Sequence, residues 1–291
     1  MTNASYMNAT GPIDYGMTND YMFRSVLQRN TTVLKGLICS MLHLSPDDVS
    51  SVVITNPIEP GEDIDAKEFI LDINVLMNDN TAINLEMQME NQLNWQDRSL
   101  SYLCRSFDQL YRGQEYTETK PAIHIGFLNF SPFQDSPEFY ATYKLLNVKN
   151  HHIYSDKFIL SVVDLTHIEL ATVEDKANQI DYWARLFKAS SWEEVRMISK
   201  NNNYLSEASQ ALYELNADEI TRQKCRAREE YYRTQNTYKK LISDLQEELE
   251  EIQQTIAKKD NVIAEKDNAI AEKDNAIAEL MQRIAELEGN S

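Results

Sequence analysis

The heptad AEKDNAI stands twice in tandem, at Ala264–Ile270 and Ala271–Ile277, directly behind the near-copy AKKDNVI. A period of seven ending on an apolar residue fits a helix, because 3.6 residues per turn return every seventh residue to nearly the same face. Ile or Leu recurs at Leu249, Ile256, Ile263, Ile270, Ile277 and Ile284. The companion seam, four residues earlier in each heptad, reads Leu245, Ile252, Lys259, Lys266, Lys273, Leu280 and Leu287. This is the pattern of a coiled coil. Lysines in mid-seam cost stability while limiting oligomer order and register, so residues 236–291 predict a homodimer, parallel as the first expectation, or a higher homo-oligomer. A solvated single helix acting as a spacer stays open beside it.

Ahead of this tail there is enough chain, at 42% apolar content overall, for one compact domain with helical additions. The longest apolar runs, such as Phe158–Val163, are far too short to span a bilayer, so no membrane segment is expected. Residues 1–14 lack the basic start and apolar stretch of a secretory signal and predict a disordered lead-in to a cytoplasmic protein. Cys39, Cys104 and Cys225 are widely separated and show no CxxC spacing, which suggests small core residues rather than disulfides or zinc ligands. The histidines, His43, His124, His151, His152 and His167, are too scattered to suggest a histidine-based metal site.

The formal charge is −18, and from Asn236 onward 7 basic residues face 13 acidic ones, so most of the acidity belongs to the body. A general basic field for coating nucleic acid is excluded, since phosphate binding draws on Lys and Arg. Any DNA contact has to be local and metal-assisted.

Met17–Gln28 reads as a helix capped by Thr18 or Asn19, with Tyr21, Val26 and Leu27 among its buried candidates, and Thr32–Leu44 as a second that stops near Ser45-Pro46. Val52–Thr55 is a short apolar run, and Glu59–Asp65 is an acidic loop. Two alternating segments follow, Phe69–Met77 and Ile83–Gln88, around Asn78-Asp79-Asn80, residues that tolerate left-handed backbone. Asn94–Gln114 reads as an amphipathic helix with Leu100, Leu103, Phe107, Leu110 and Tyr111 on one stripe and Gly113 near its end. Ala122–Phe130 is apolar on both parities, as a doubly buried strand is, and Glu138–Leu146 and Lys157–Val163 bring the sheet to five or six strands. From Val173 the sequence is mostly helical. Strands enclosed by helices predict an α/β (α+β) core over residues 15–165 with a helical extension over 166–235.

The hairpin's register carries the local argument about function. With residues 78–80 as the loop, Met77 pairs with Thr81, Asn74 with Asn84, and Asp72 falls opposite Glu86. Like charges directly opposed across a ladder destabilise it, so two facing carboxylates need a reason. The pleat sets Asp72, Glu86 and Gln88 on one face, opposite Leu71, Ile73, Leu85 and Met87. A hard divalent cation relieves the repulsion, since Mg²⁺ takes one or two carboxylates and keeps several waters. The alternative is a solvent-facing strand whose charges spread apart.

LDINVLMNDNTAINLEMQ, Leu71–Gln88, resembles the active-site hairpin of the PD-(D/E)XK nuclease superfamily, more narrowly the recombination-promoting nuclease/putative transposase family. TNDYMFRSVL at Thr18–Leu27 and RSLSYLCRSFDQLYRGQEY at Arg98–Tyr116 are similar to that family's N-terminal segment and post-hairpin helix, and the likeness extends over residues 15–200. The resemblance implies a restriction-endonuclease-like core with a central mixed sheet. It implies Asp72 and Glu86 as metal-binding acids, with Gln88 in the place of the motif's lysine. Glutamine there offers hydrogen bonds without charge. Asp20 stands where an N-terminal acid approaches the metal; an exposed acid favoured by the helix dipole is its other reading. Arg98 and Tyr102, four apart on one helix face, resemble a Q-x-x-x-Y pair that touches substrate, with Arg98 suited to phosphate. Lys67 and Arg105 are weaker phosphate candidates, and Glu90 is an extra acid or the strand's end.

The function implied is a DNA endonuclease dependent on Mg²⁺ (or Mn²⁺), linked to recombination, transposition or defence. A non-catalytic interaction protein assembled through the tail is the second expectation. Two carboxylates acting on a glycoside are a third, with little sign of a sugar-stacking cleft beside the hairpin.

Overall fold

The computed structural model describes residues 5–57, 72–78, 80–91, 93–109, 114–200 and 202–288. Phe69–Leu71, Lys67, the Glu59–Asp65 loop and the end of the post-hairpin stripe at Leu110, Tyr111 and Gly113 lie outside them. The chain divides into two compact units, residues 1–230 and 231–291.

In the first unit, α1 (Asp20–Arg29) starts where Asn19 accepts a hydrogen bond from the Met22 amide, which satisfies an orphan donor of the first turn. Asn30 does the same for α2 (Thr31–Leu42). α2 ends earlier than the proline suggested, because His43 turns left-handed (φ 54°) and its amide bonds back to Cys39 and Ser40. Then come β1 (Val52–Ile54), β2 (Ile73–Met77) and β3 (Thr81–Gln88), α3 (Trp95–Phe107), β4 (Ala122–Leu128), β5 (Tyr140–Lys144) and β6 (Phe158–Asp164). Helices α4 (Val173–Ala177), α5 (Ile180–Lys188), α6 (Trp192–Ser199) and α7 (Asn203–Ala217) follow.

The six strands form one mixed sheet in the order β1-β2-β3-β4-β6-β5. β1, β2 and β3 meander antiparallel, β3, β4 and β6 run parallel, and β5 returns antiparallel to β6. This mixed sheet with flanking helices is the α/β architecture expected.

Burial follows the pleat. Ile73, Val75, Ile83, Leu85, Met87, Ile123, Ile125 and Phe127 enter the main core with residues of α1, α2, α5 and α7. Phe23, Phe127 and Phe187 meet there at centroid distances of 5.1 to 5.5 Å, and tilted or edge-on ring pairs add about 0.5–1.5 kcal/mol each beyond area burial. α3 covers the opposite face, where Trp95 packs with Leu128 and Val162. Residues 166–217, the greater part of the extension expected over 166–235, thus share the sheet's core.

Three further expectations change. Residues 5–14 are held by the body rather than trailing from it: Tyr6 is buried, Ile13 bonds to the Ser190 carbonyl, and Pro12 bridges Ser191. Leu100, placed on the buried stripe of α3, is 46% exposed; Trp95, Ser99 and Leu103, spaced by four, are the buried residues. Cys39 and Cys225 are buried as expected, but Cys104 is exposed.

α8 (Glu219–Glu288) is one continuous helix that supplies the whole described part of the second unit. Its seam residues, Leu249, Ile256, Ile263, Ile270, Ile277 and Ile284 among them, are about half exposed in the single chain. Among the described residues no helix is long and apolar enough to cross a membrane.

Candidate functional site

The hairpin has the register read from its sequence. Met77 pairs with Thr81, Asn74 with Asn84 and Ile73 with Leu85, and Asn78 takes the left-handed backbone (φ 51°) that begins the turn. Asp72 follows one residue beyond the last pair, where the same register continues to Glu86. Its carboxylate Oδ2 accepts a hydrogen bond from Asn84 Nδ2 at 2.6 Å, and Asn84 also donates to Asn74 Oδ1 at 2.8 Å.

The face carrying these residues is not a solvent surface. Asp72, Asn84, Glu86 and Gln88 are all buried, Glu86 at 3% exposure. The cause lies on the neighbouring strand. In the parallel ladder Glu86 stands beside Gly126, and a Cβ on Gly126 would lie 2.3 Å from the Trp95 indole. A bare backbone there lets Trp95 lie down on the sheet, and α3 comes with it.

α3 then delivers its polar side chains. The Arg98 guanidinium forms an ion pair with Glu86 Oε1 and lies 5.6 Å from the Tyr102 ring centre, within cation–π range. Beside Asn84 on β4 is His124, fully buried, its Nε2 3.8 Å from Glu86 Oε2 and its ring between those of Trp95 and Tyr102. Neither oxygen of Glu86, neither nitrogen of His124, and not the Asn84 Oδ1 has a hydrogen-bond partner. Burial pushes the Glu86 carboxyl up to about 7; the Arg98 charge opposes this and Asp72 reinforces it. Burial, helped by the Arg98 charge, lowers the His124 imidazole to about 3, so the ring is neutral at physiological pH.

Asp72 is held from below by its own backbone. Arg24 of α1 donates to the Asp72 carbonyl at 2.5 Å and to the Asn56 carbonyl, while Asn56 Nδ2 reaches the same Asp72 oxygen at 3.0 Å. A cavity of about 580 Å³ opens from this point, lined by Asp72, Asn74, Asn84, Tyr102, Arg105 and Lys120 among others.

The structure therefore brings together Asp72, Glu86, Arg98 and Tyr102 from the sequence expectations, with Arg105 along the adjoining cavity. Gln88 is on the same strand and buried, but its Nε2 donates to the Glu90 carbonyl at 2.9 Å. Asp20 is drawn elsewhere: Arg228, in the opening turns of α8, donates to its carboxylate at 2.7 Å. Asn84, His124 and Arg24 were missed as site residues. A lone histidine in the otherwise apolar Ala122–Leu128 run is the available signal for His124.

Asp72 and Glu86 offer hard oxygen donors, and the orphaned Asn84 Oδ1 and Glu86 Oε2 fit a small divalent cation. Among the described residues no group of three or more His, Cys, Asp or Glu side chains is arranged as a metal cage. A cation here would rely on water or substrate for its remaining ligands.

The mixed six-strand sheet with its flanking helices is that of a PD-(D/E)XK type of α/β fold. The chain belongs to the PD-(D/E)XK nuclease family transposases, whose family model it matches over residues 17–241. No curated protein and no solved structure matches it.

Proposed function

We propose that this protein is a DNA endonuclease that hydrolyses phosphodiester bonds with Mg²⁺ or Mn²⁺ held by Asp72 and Glu86. The observation that carries the reading is a buried carboxylate pair, one member of which, Glu86, is ion-paired to Arg98 through Oε1 and has no hydrogen bond to Oε2. Burial and the neighbouring Asp72 together penalise charge on Glu86, which Arg98 only partly offsets, and a bound cation relieves that penalty. A divalent cation supplies Lewis acidity toward a phosphoryl oxygen and an acidified water.

The chain's own residues do the rest. Asn84 fixes the Asp72 carboxylate by its amide, and Arg24 and Asn56 fix its backbone. Arg98 neutralises Glu86 before the cation arrives and, at 30% side-chain exposure, is placed to meet a substrate phosphate afterwards. Tyr102 supports the guanidinium by its ring face. Trp95 and His124 shield the carboxylates from bulk water. Gln88 orients water by hydrogen bonds alone, which predicts slower turnover than a lysine would give. The tail joins two copies, and two sites per assembly suit double-strand cleavage in recombination, transposition or defence.

The bond from Gln88 to Glu90 favours a second reading, a nuclease fold retained as an interaction platform. Plasmid DNA incubated with purified protein in Mg²⁺, Mn²⁺ or chelator separates the two. Metal-dependent nicking lost in both Asp72→Ala and Glu86→Ala supports the nuclease. Cleavage that survives both substitutions removes this site, and no cleavage in any metal leaves the platform.

A further inference from the structure

The tandem heptads hold charges that have nothing to pair with on their own helix. Partners on a helix stand three or four residues apart. In Lys258–Asp274 the charges come in consecutive runs, Lys258-Lys259-Asp260, Glu265-Lys266-Asp267 and Glu272-Lys273-Asp274. For Lys266 the positions three and four away are Val262, Ile263, Ala269 and Ile270, and for Asp267 they are Ile263, Ala264, Ile270 and Ala271. None of these nine residues has an opposite charge at helical spacing. A helix built to stand alone in water is laced with such pairs. This one, through its repeats, has none.

We propose that the tail is a two-stranded, parallel, in-register interface whose occupant is a second copy of this chain; this rests on the reading that the tail joins two copies. In heptad terms the Ile series occupies a, the Lys series d, and Asp260, Asp267 and Asp274 the adjoining e. In a parallel pair each a layer is Ile against Ile. Each d lysine enters a hole whose rim includes the partner's e residue, so Lys266 meets the partner's Asp267. An antiparallel pair sets the Ile layers of the repeats against lysine and brings the repeats' e residues, all aspartate, face to face. A trimer gathers three lysines in each d layer, whereas β-branched residues at a favour two strands.

The flanks lock the register. A slip of one heptad preserves the pattern inside the repeats but sets apolar Ile252 and Leu280 against the partner's Lys259 and Lys273. Apolar layers on both seams, at Leu245–Ile256 and Ile277–Leu287, therefore hold the polar middle in place.

The test uses the full-length chain in sedimentation velocity over a range of concentrations. Wild type is expected to be a dimer. Replacing Lys259, Lys266 and Lys273 together by Glu should weaken dimerisation about a hundredfold at low salt, judged from exposed ion-pair strengths summed over the layers. Adding Asp260→Lys, Asp267→Lys and Asp274→Lys to that variant should restore it, which no general loss of helix would allow. With the exposed Cys104 changed to Ser, Leu249→Cys at a and Leu280→Cys at d should each cross-link to itself on oxidation. A monomeric wild type sinks the joining of copies altogether. A dimer whose affinity ignores the lysine reversal, or whose cysteines link only when the two variants are mixed, leaves the joining intact and overturns the parallel geometry.

Discussion

Replacing Glu86 by Gln should change how stability depends on pH, in a direction opposite to that of most carboxylates. In the folded chain the Glu86 carboxyl sits at about 7 against an ordinary 4.5, chiefly because burial penalises its charged form. Between those values the folded state binds a proton that the unfolded state has released, so stability falls as pH rises. At 1.36 kcal/mol per pH unit the loss amounts to about 3 kcal/mol, complete by about pH 8. Glu86→Gln is neutral throughout and escapes it. In chelator, urea unfolding at pH 4.5 should give similar stabilities for the two proteins, with the variant pulling ahead by about 3 kcal/mol at pH 8. The same proton governs metal binding: below pH 7 it must leave first, so Mn²⁺ affinity measured by calorimetry should rise about tenfold per pH unit and then level. Unfolding curves whose difference is constant across this range would refute the buried, charge-penalised state of Glu86. A pH-independent Mn²⁺ affinity below 7 would remove Glu86 as a ligand.

Gly126→Ala should cost about 1–3 kcal/mol in urea denaturation, because the new methyl meets the Trp95 ring and α3 must lift from the sheet. Arg24→Met should cost at least about 2–3 kcal/mol by the same measure, since it strips charge-assisted donors from the Asp72 and Asn56 carbonyls; unchanged stability would show that other donors take over. Arg98→Gln removes a cation from the metal's neighbourhood and should tighten Mn²⁺ binding in calorimetry while lowering the rate of DNA cleavage; weaker Mn²⁺ binding would mean that the guanidinium organises the carboxylates rather than competing for them.

The hairpin was legible because its signals are local and agree: period-two alternation, a loop of left-handed formers, and a register that follows once the loop is set. α3 was legible as a helix but not in its rotation. Its stripe, drawn by hydrophobicity, holds the buried Leu103 but also the exposed Leu100, and it leaves out Trp95 and Ser99; Trp95 seats over a glycine on β4 that only the assembled sheet places beneath it. Arg24 and His124 escaped for the same reason. Their partners, the Asp72 carbonyl and Glu86, lie 48 and 38 residues away, and no short-range pattern encodes such meetings. Asp20 was placed by its position at the start of α1, but Arg228, far along the chain, takes its carboxylate.

The local charge balance explains how an acidic chain can engage DNA on the proposed reading. Asp72, Glu86 and Glu118 face Arg24, at the Asp72 backbone, Arg98, Arg105 and Lys120, so the pocket with its acids ionised is within one charge of neutral. It has little attraction for a phosphate, and the chain's net charge of −18, most of it in the body, repels one at long range. A bound divalent cation adds two positive charges to the pocket and frees Arg98 from its duty to Glu86. Position 88 then need not carry a lysine, because the charge usually supplied from the strand comes from α3, one layer above. Cation and phosphodiester are coupled ligands on this account. Each raises the affinity of the other by the same factor, and the acidity of the body makes that factor large by suppressing DNA binding whenever the cation is absent.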